Sequence, residues 1–185
     1  MSSLGLIQES IGSWLLPIRT KWNDREPKVF SFENARTIGI VYNVENKDVH
    51  TQIADFANFL TQRHSGMQVS LLGFLDNPEL EKCLTKVAHT EFFSEKDFSW
   101  SGRLQKGAAL DFVKNRFDIL LDISTETTYP VHYVQLSSVA SYKVGRYIEN
   151  DLRYDLLIDT KEDNSIAYLI TQINVYLSKI KISTR

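Results

Sequence analysis

Hydrophobic and polar positions along the chain switch between two rhythms. Ile38-Gly39-Ile40-Val41-Tyr42 is a short continuous apolar run rich in β-branched residues, as a strand buried on both faces requires. Val49, Ile53, Phe56, Ala57 and Leu60 then recur at helical spacing, and Ser65-Gly66 closes that helix. Residues 69–74 read as a second strand. Asn77-Pro78-Glu79 opens a short helix through Leu84, with proline favoured in the first turn. Residues 87–93 read as a third strand, and residues 94–103, which carry Phe98 and Trp100 without a regular period, as a loop with aromatic anchors. A helix over about 106–115 leads into a strand at 117–123, and Tyr129-Pro130 starts another helix. Residues 142–147 and 154–159 form a fifth and a sixth strand. Ile166, Leu169, Ile170, Ile173, Leu177 and Ile180 make a final amphipathic helix.

Strands alternating with helices predict a three-layer, Rossmann-like α/β domain with a mainly parallel sheet of about six strands. Only residues 148–153 separate the fifth strand from the sixth, whereas a parallel crossover usually takes about a dozen residues. The sixth is therefore expected as an antiparallel edge strand. The expected organisation is an amphipathic and basic arm over residues 1–28, followed by one domain over 29–185.

In the arm, Ile7, Ile11, Trp14 and Leu15 fall at helical spacing before Pro17, and Arg19, Lys21, Arg25 and Lys28 follow, interleaved with Trp22. Gln8-Glu9-Ser10 interrupts the apolar run, so no secretory signal is expected. Two readings stand: a helix packed on the domain's own sheet, or an arm that docks on a membrane surface, an RNA-containing particle or a partner protein. Trp14, Arg19, Lys21 and Trp22, together with Trp100, are the candidate partner-binding residues.

Composition narrows the classes. The 185 residues carry 21 Lys+Arg against 23 Asp+Glu, a net charge of −2, so no global basic field exists to hold nucleic acid. The single Cys83 excludes an internal disulfide and any multi-cysteine metal site, suits a cytoplasmic protein, and reads as a buried small hydrophobe. The four histidines show no metal-ligand spacing. No G-x-S-x-G elbow for a serine nucleophile occurs.

Ligands of parallel sheets bind beyond the carboxyl ends of the strands. The residues after the first strand, Asn43 to His50, contain no glycine, whereas phosphate cradles need glycines so that backbone N–H groups can approach the anion. Asp48 reads there as a helix N-cap or a ligand contact. A local echo is more tempting: Phe117-Asp118-Ile119-Leu120-Leu121-Asp122 matches Tyr154-Asp155-Leu156-Leu157-Ile158-Asp159 in pattern. An antiparallel sixth strand would send Asp159 to the rim opposite Asp122, which disfavours a carboxylate pair. The candidate ligand-binding residues are Asp48, Asp122 and Arg146, with no catalytic residue, metal or cofactor assigned.

Ala35-Arg36-Thr37-Ile38-Gly39-Ile40, Asn46-Lys47-Asp48-Val49-His50-Thr51, Phe117 to Asp122 and Tyr142-Lys143-Val144-Gly145 resemble, in order, the N-terminal half of lipopolysaccharide heptosyltransferases. The resemblance covers about residues 35–145 and implies a Rossmann-like half of a two-domain glycosyltransferase. The family's turn carboxylate would fall on Asp48, with Lys47 in place of the glycine before it. Nearly the whole chain is also similar to a family of short Bacteroidetes-type α/β proteins that carries no assigned activity. The first functional expectation is a non-catalytic cytoplasmic protein that binds a protein partner. The alternatives are a nucleotide or nucleotide-sugar binding domain related to a glycosyltransferase half, and a peripheral membrane-associated accessory protein.

Overall fold

The computed structural model describes residues 25–84, 87, 89–126, 128–148 and 154–181. Among these, six strands form: β1 (Thr37–Asn43), β2 (Gln68–Phe74), β3 (Thr90–Phe93), β4 (Ile119–Asp122), β5 (Tyr142–Arg146) and β6 (Leu156–Ile158). The α-helices are α1 (Lys47–Arg63), α2 (Ala108–Phe112), α3 (Tyr129–Ser137) and α4 (Ile166–Lys179). One sheet runs in the order β3-β2-β1-β4-β5-β6, with every neighbouring pair parallel. Ile38, Ile40, Tyr42 and Val144 pack beneath α1 and α4, while Val41, Leu72 and Leu120 pack beneath α2 and α3. Burial on both faces explains why β1 and β4 read as unbroken apolar runs.

The antiparallel edge strand is not seen: β6 runs parallel to β5, with Val144 opposite Leu156 and Arg146 opposite Ile158. The two strands pair over three residues only, so the chain must return by about 10 Å along the sheet and about 5 Å across it. The nine residues from Tyr147 to Asp155 can span about 30 Å when extended. A helix-sized crossover is needed for strands of ordinary length, and β6 is too short to demand one. Asp159 consequently lies at the same rim as Asp122, with β5 between them.

The sequence echo marks a repeated packing unit. Gly39 of β1 sits opposite Leu120, and Gly145 of β5 sits opposite Leu157. Three residues before each leucine stands an aromatic ring covering that glycine. A Cβ added to Gly39 would stand 2.8 Å from Phe117 Cδ2, and one added to Gly145 would stand 2.8 Å from Tyr154 Cδ1. The next residue is an aspartate in both. Asp118 Oδ2 accepts from the Arg36 and Thr37 amides at 2.6 and 3.0 Å. Asp155 Oδ2 accepts from the Lys143 amide at 2.7 Å. Each aspartate therefore satisfies backbone donors where the neighbouring strand begins, which a ladder alone leaves open.

Two local expectations are corrected. The cap of α1 is Asn46, whose extended backbone lets Oδ1 accept from Val49 N at 2.9 Å; Asp48 is exposed in the first turn, where its charge suits the helix dipole. Cys83 is exposed, because it ends a 3-10 turn (Pro78–Cys83) that buries none of its own residues and hands burial to Leu84.

Residues 25–35 run against the amino-terminal edge of the sheet. Arg25 Nε donates to Ala140 O at 2.8 Å, its guanidinium pairs with Asp155, and Phe30 and Phe32 are buried. Residues 25–28, read from the sequence as the end of the arm, thus lie on the domain. Trp14, Arg19, Lys21, Trp22 and the amphipathic stretch before them lie outside the described residues. No helix among the described residues is long and apolar enough to cross a membrane.

Candidate functional site

The strand order reverses between β1 and β4, the place where a doubly wound sheet opens a crevice for ligands. Side chains close it here. Asn43 Nδ2 donates to Glu126 O and Asn43 Oδ1 accepts from Thr128, both at 2.8 Å. Thr125 donates its hydroxyl hydrogen to Glu45. The first amide after β1, Val44 N, is used by Phe74 O at 2.8 Å. With Glu45 and the Asn46 cap beside it, the turn offers carboxylate and amide side chains rather than bare backbone.

One strand further along, the rim opens into a cavity of about 310 Å³ bounded by Asp122, Ser124, Glu126, Arg146, Ile148 and Tyr154. Asp122 closes β4 and Arg146 closes β5, so the parallel register brings these two sequence-predicted residues together. Asp122 is buried, and its Oδ2 accepts from Tyr154 OH at 2.6 Å. Arg146 is committed on three sides: to Ser124 O at 3.2 Å, to Thr160 Oγ1 at 2.6 Å, and to both the side chain and the carbonyl of Asn164. Burial lowers the pKa of the guanidinium, while Asp122, Asp163 and Glu45 act to raise it. Asp48, the third predicted ligand contact, is not part of this cavity.

Sequence reasoning missed Ser124 and Tyr154. The Ser124 hydroxyl is buried and Oγ has no hydrogen-bond partner, and such groups in a native structure call for an explanation. The signal for Tyr154 was present in the echo, where it replaces Phe117 and so adds one hydroxyl. Lys143 was also missed. It is 4% exposed on β5, and Nζ donates to the Gln135 carbonyl near the end of α3. His50 is buried with Nδ1 2.7 Å from Tyr42 OH. No group of three or more metal-ligating side chains occurs among the described residues.

A second feature stands on the same side of the sheet as α2 and α3. Phe98 and Leu104 form an antiparallel bridge, and between them a tight turn closes through Gly102 N to Ser99 O at 2.9 Å and Ser99 N to Arg103 O at 2.8 Å. Gly102 adopts φ +71°, which side chains resist, and Tyr129 OH donates to its carbonyl at 2.5 Å. Phe98 packs on Phe93, Tyr129 and Tyr133. Trp100 at the tip is 92% exposed. Of the two aromatics read as loop anchors, Phe98 serves as such and Trp100 does not.

These features define an all-parallel α/β protein with a small acidic cavity at the carboxyl rim and an indole held out on a pinned turn. The chain belongs to DUF6913, a family of unknown function whose model matches residues 16–180. No curated protein and no solved structure matches it.

Proposed function

We propose that the protein is a non-catalytic, cytoplasmic interaction module that engages a protein partner through Trp100. The carrying observation is an almost fully exposed tryptophan on a turn whose base is fixed by a β-bridge, by backbone hydrogen bonds and by Tyr129. A free indole gains nothing for the monomer. Tryptophan is among the residues that dominate binding energy when buried by a partner, and a rigid support lowers the ordering cost of association. The strand order supports a Rossmann-like reading of the fold, while the side-chain closure of the crevice beside β1 argues for use of the scaffold without a phosphorylated cofactor.

Trp100→Ala should leave the melting temperature unchanged, since exposed substitutions typically move stability by less than about 0.5 kcal/mol. It should weaken partner binding by about 2 kcal/mol or more, near 30-fold. A photocrosslinking residue placed at Ser101 in living cells reads this directly. The expected result is a discrete adduct with another protein that disappears in the Trp100→Ala background. No adduct, or one indifferent to Trp100, overturns the proposal.

A further inference from the structure

We propose that the cavity at the carboxyl ends of β4 and β5 binds a small organic ammonium compound, a primary amine on a short aliphatic chain. Its volume of about 310 Å³ falls at the small end of ligand pockets, which span roughly 300–1,000 Å³. It is a built site. Asp122 and Ser124 are each 6% exposed, and the buried Ser124 Oγ lines the cavity without a hydrogen-bond partner. Tyr154 holds the Asp122 carboxylate in place from one side at 2.6 Å.

Charge selects the ligand class. Asp122 and Glu126 line the cavity, and Glu45 is bound to Thr125 at its wall. Among the described lining residues Arg146 is the cation, and it donates to Ser124 O, Thr160 and Asn164. An anion would therefore meet an excess of carboxylates and a guanidinium already committed to the protein. An ammonium group brings three donors and a positive charge to a site whose carboxylates and hydroxyl oxygen accept. Ile148 provides an apolar wall for the alkyl chain, and the Tyr154 ring provides a face that attracts cations.

The probes are 1,4-diaminobutane, 1,4-butanediol and inorganic phosphate, titrated separately into the full chain at matched ionic strength, with binding read by calorimetry and melting temperature. The diamine is expected to bind saturably and raise the melting temperature, while the diol, of equal length without charge, and phosphate do neither. Asp122→Asn should weaken diamine binding at least tenfold. Ser124→Ala removes a hydroxyl that holds nothing in the fold; it should keep the wild-type melting temperature without ligand and weaken binding about threefold. Failure of the diamine to bind, binding unchanged in Ser124→Ala, or saturable binding of phosphate in place of the diamine overturns the assignment.

Discussion

Raising the pH from 7 to about 9.5 should stabilise the protein, and Lys143→Met should abolish most of that gain. Burial first and the nearby Arg25 charge second bring the Lys143 ammonium down to about 7, against the opposing pull of Asp155. In the unfolded chain a lysine titrates near 10.4. Between the two values the unfolded state holds a proton that the folded state has released, so stability climbs with pH; below about 7 both states are protonated and this contribution is flat. At about 1.36 kcal/mol per unit, the gain over this window is on the order of 3 kcal/mol. Above about pH 10 the trend reverses, because burial raises the phenol pKa of Tyr42 and Tyr142 while unfolded tyrosines ionise. Urea midpoints measured from pH 7 to 9.5 check this. The wild type should approach the Lys143→Met variant from below as pH rises, and parallel flat curves would count against it. The substitution leaves the Gln135 carbonyl without its donor, a cost of about 1 kcal/mol, so the variant's advantage at pH 7 is smaller than the full shift.

The second large effect lies at the ring over Gly39. Phe117→Ala should destabilise by about 3–5 kcal/mol, because the ring is buried and packs at 4.7 Å, centroid to centroid, on Phe112. Gly39→Ala should cost about 1–3 kcal/mol through crowding, since its Cβ would meet Phe117 and Phe112 ring carbons at 2.8 and 2.9 Å. In the double variant the new methyl enters the space the ring has left. The two losses should then fall short of additivity by more than about 1 kcal/mol. Chemical denaturation of the four proteins in the cycle measures this directly, and additive losses would show that ring and glycine do not share one space.

Long, strongly periodic segments were legible in the amino-acid sequence. α1 and α4 repeat their apolar residues over many turns, β1 is a continuous apolar run between polar ends, and β2 is an apolar run broken only at Ser70. Short elements were less so. The helix expected over 106–115 is confined to Ala108–Phe112, where Gly107 with φ +81° precedes the helix. β3 begins only at Thr90. Crossover length in residues gives β6 the wrong direction, because a strand paired over three residues needs only a short return. That error also hid Tyr154, whose meeting with Asp122 depends on the parallel register. Asp122 and Arg146 were legible because both end predicted strands that share a rim. Lys143 left a signal that went unused: a lysine between Tyr142 and Val144, in a strand otherwise built for burial.

The two copies of the aromatic–aspartate unit differ by one oxygen, and that oxygen ties a boundary to an interior. Tyr154 leads into the outermost strand, which is held by only three paired residues, yet its phenol reaches the carboxylate at the end of the central β4. Peeling of the sheet margin would withdraw that phenol and release the carboxylate, while a guest seated against both would clamp the margin down. Occupancy and fraying thus become opposite sides of one equilibrium.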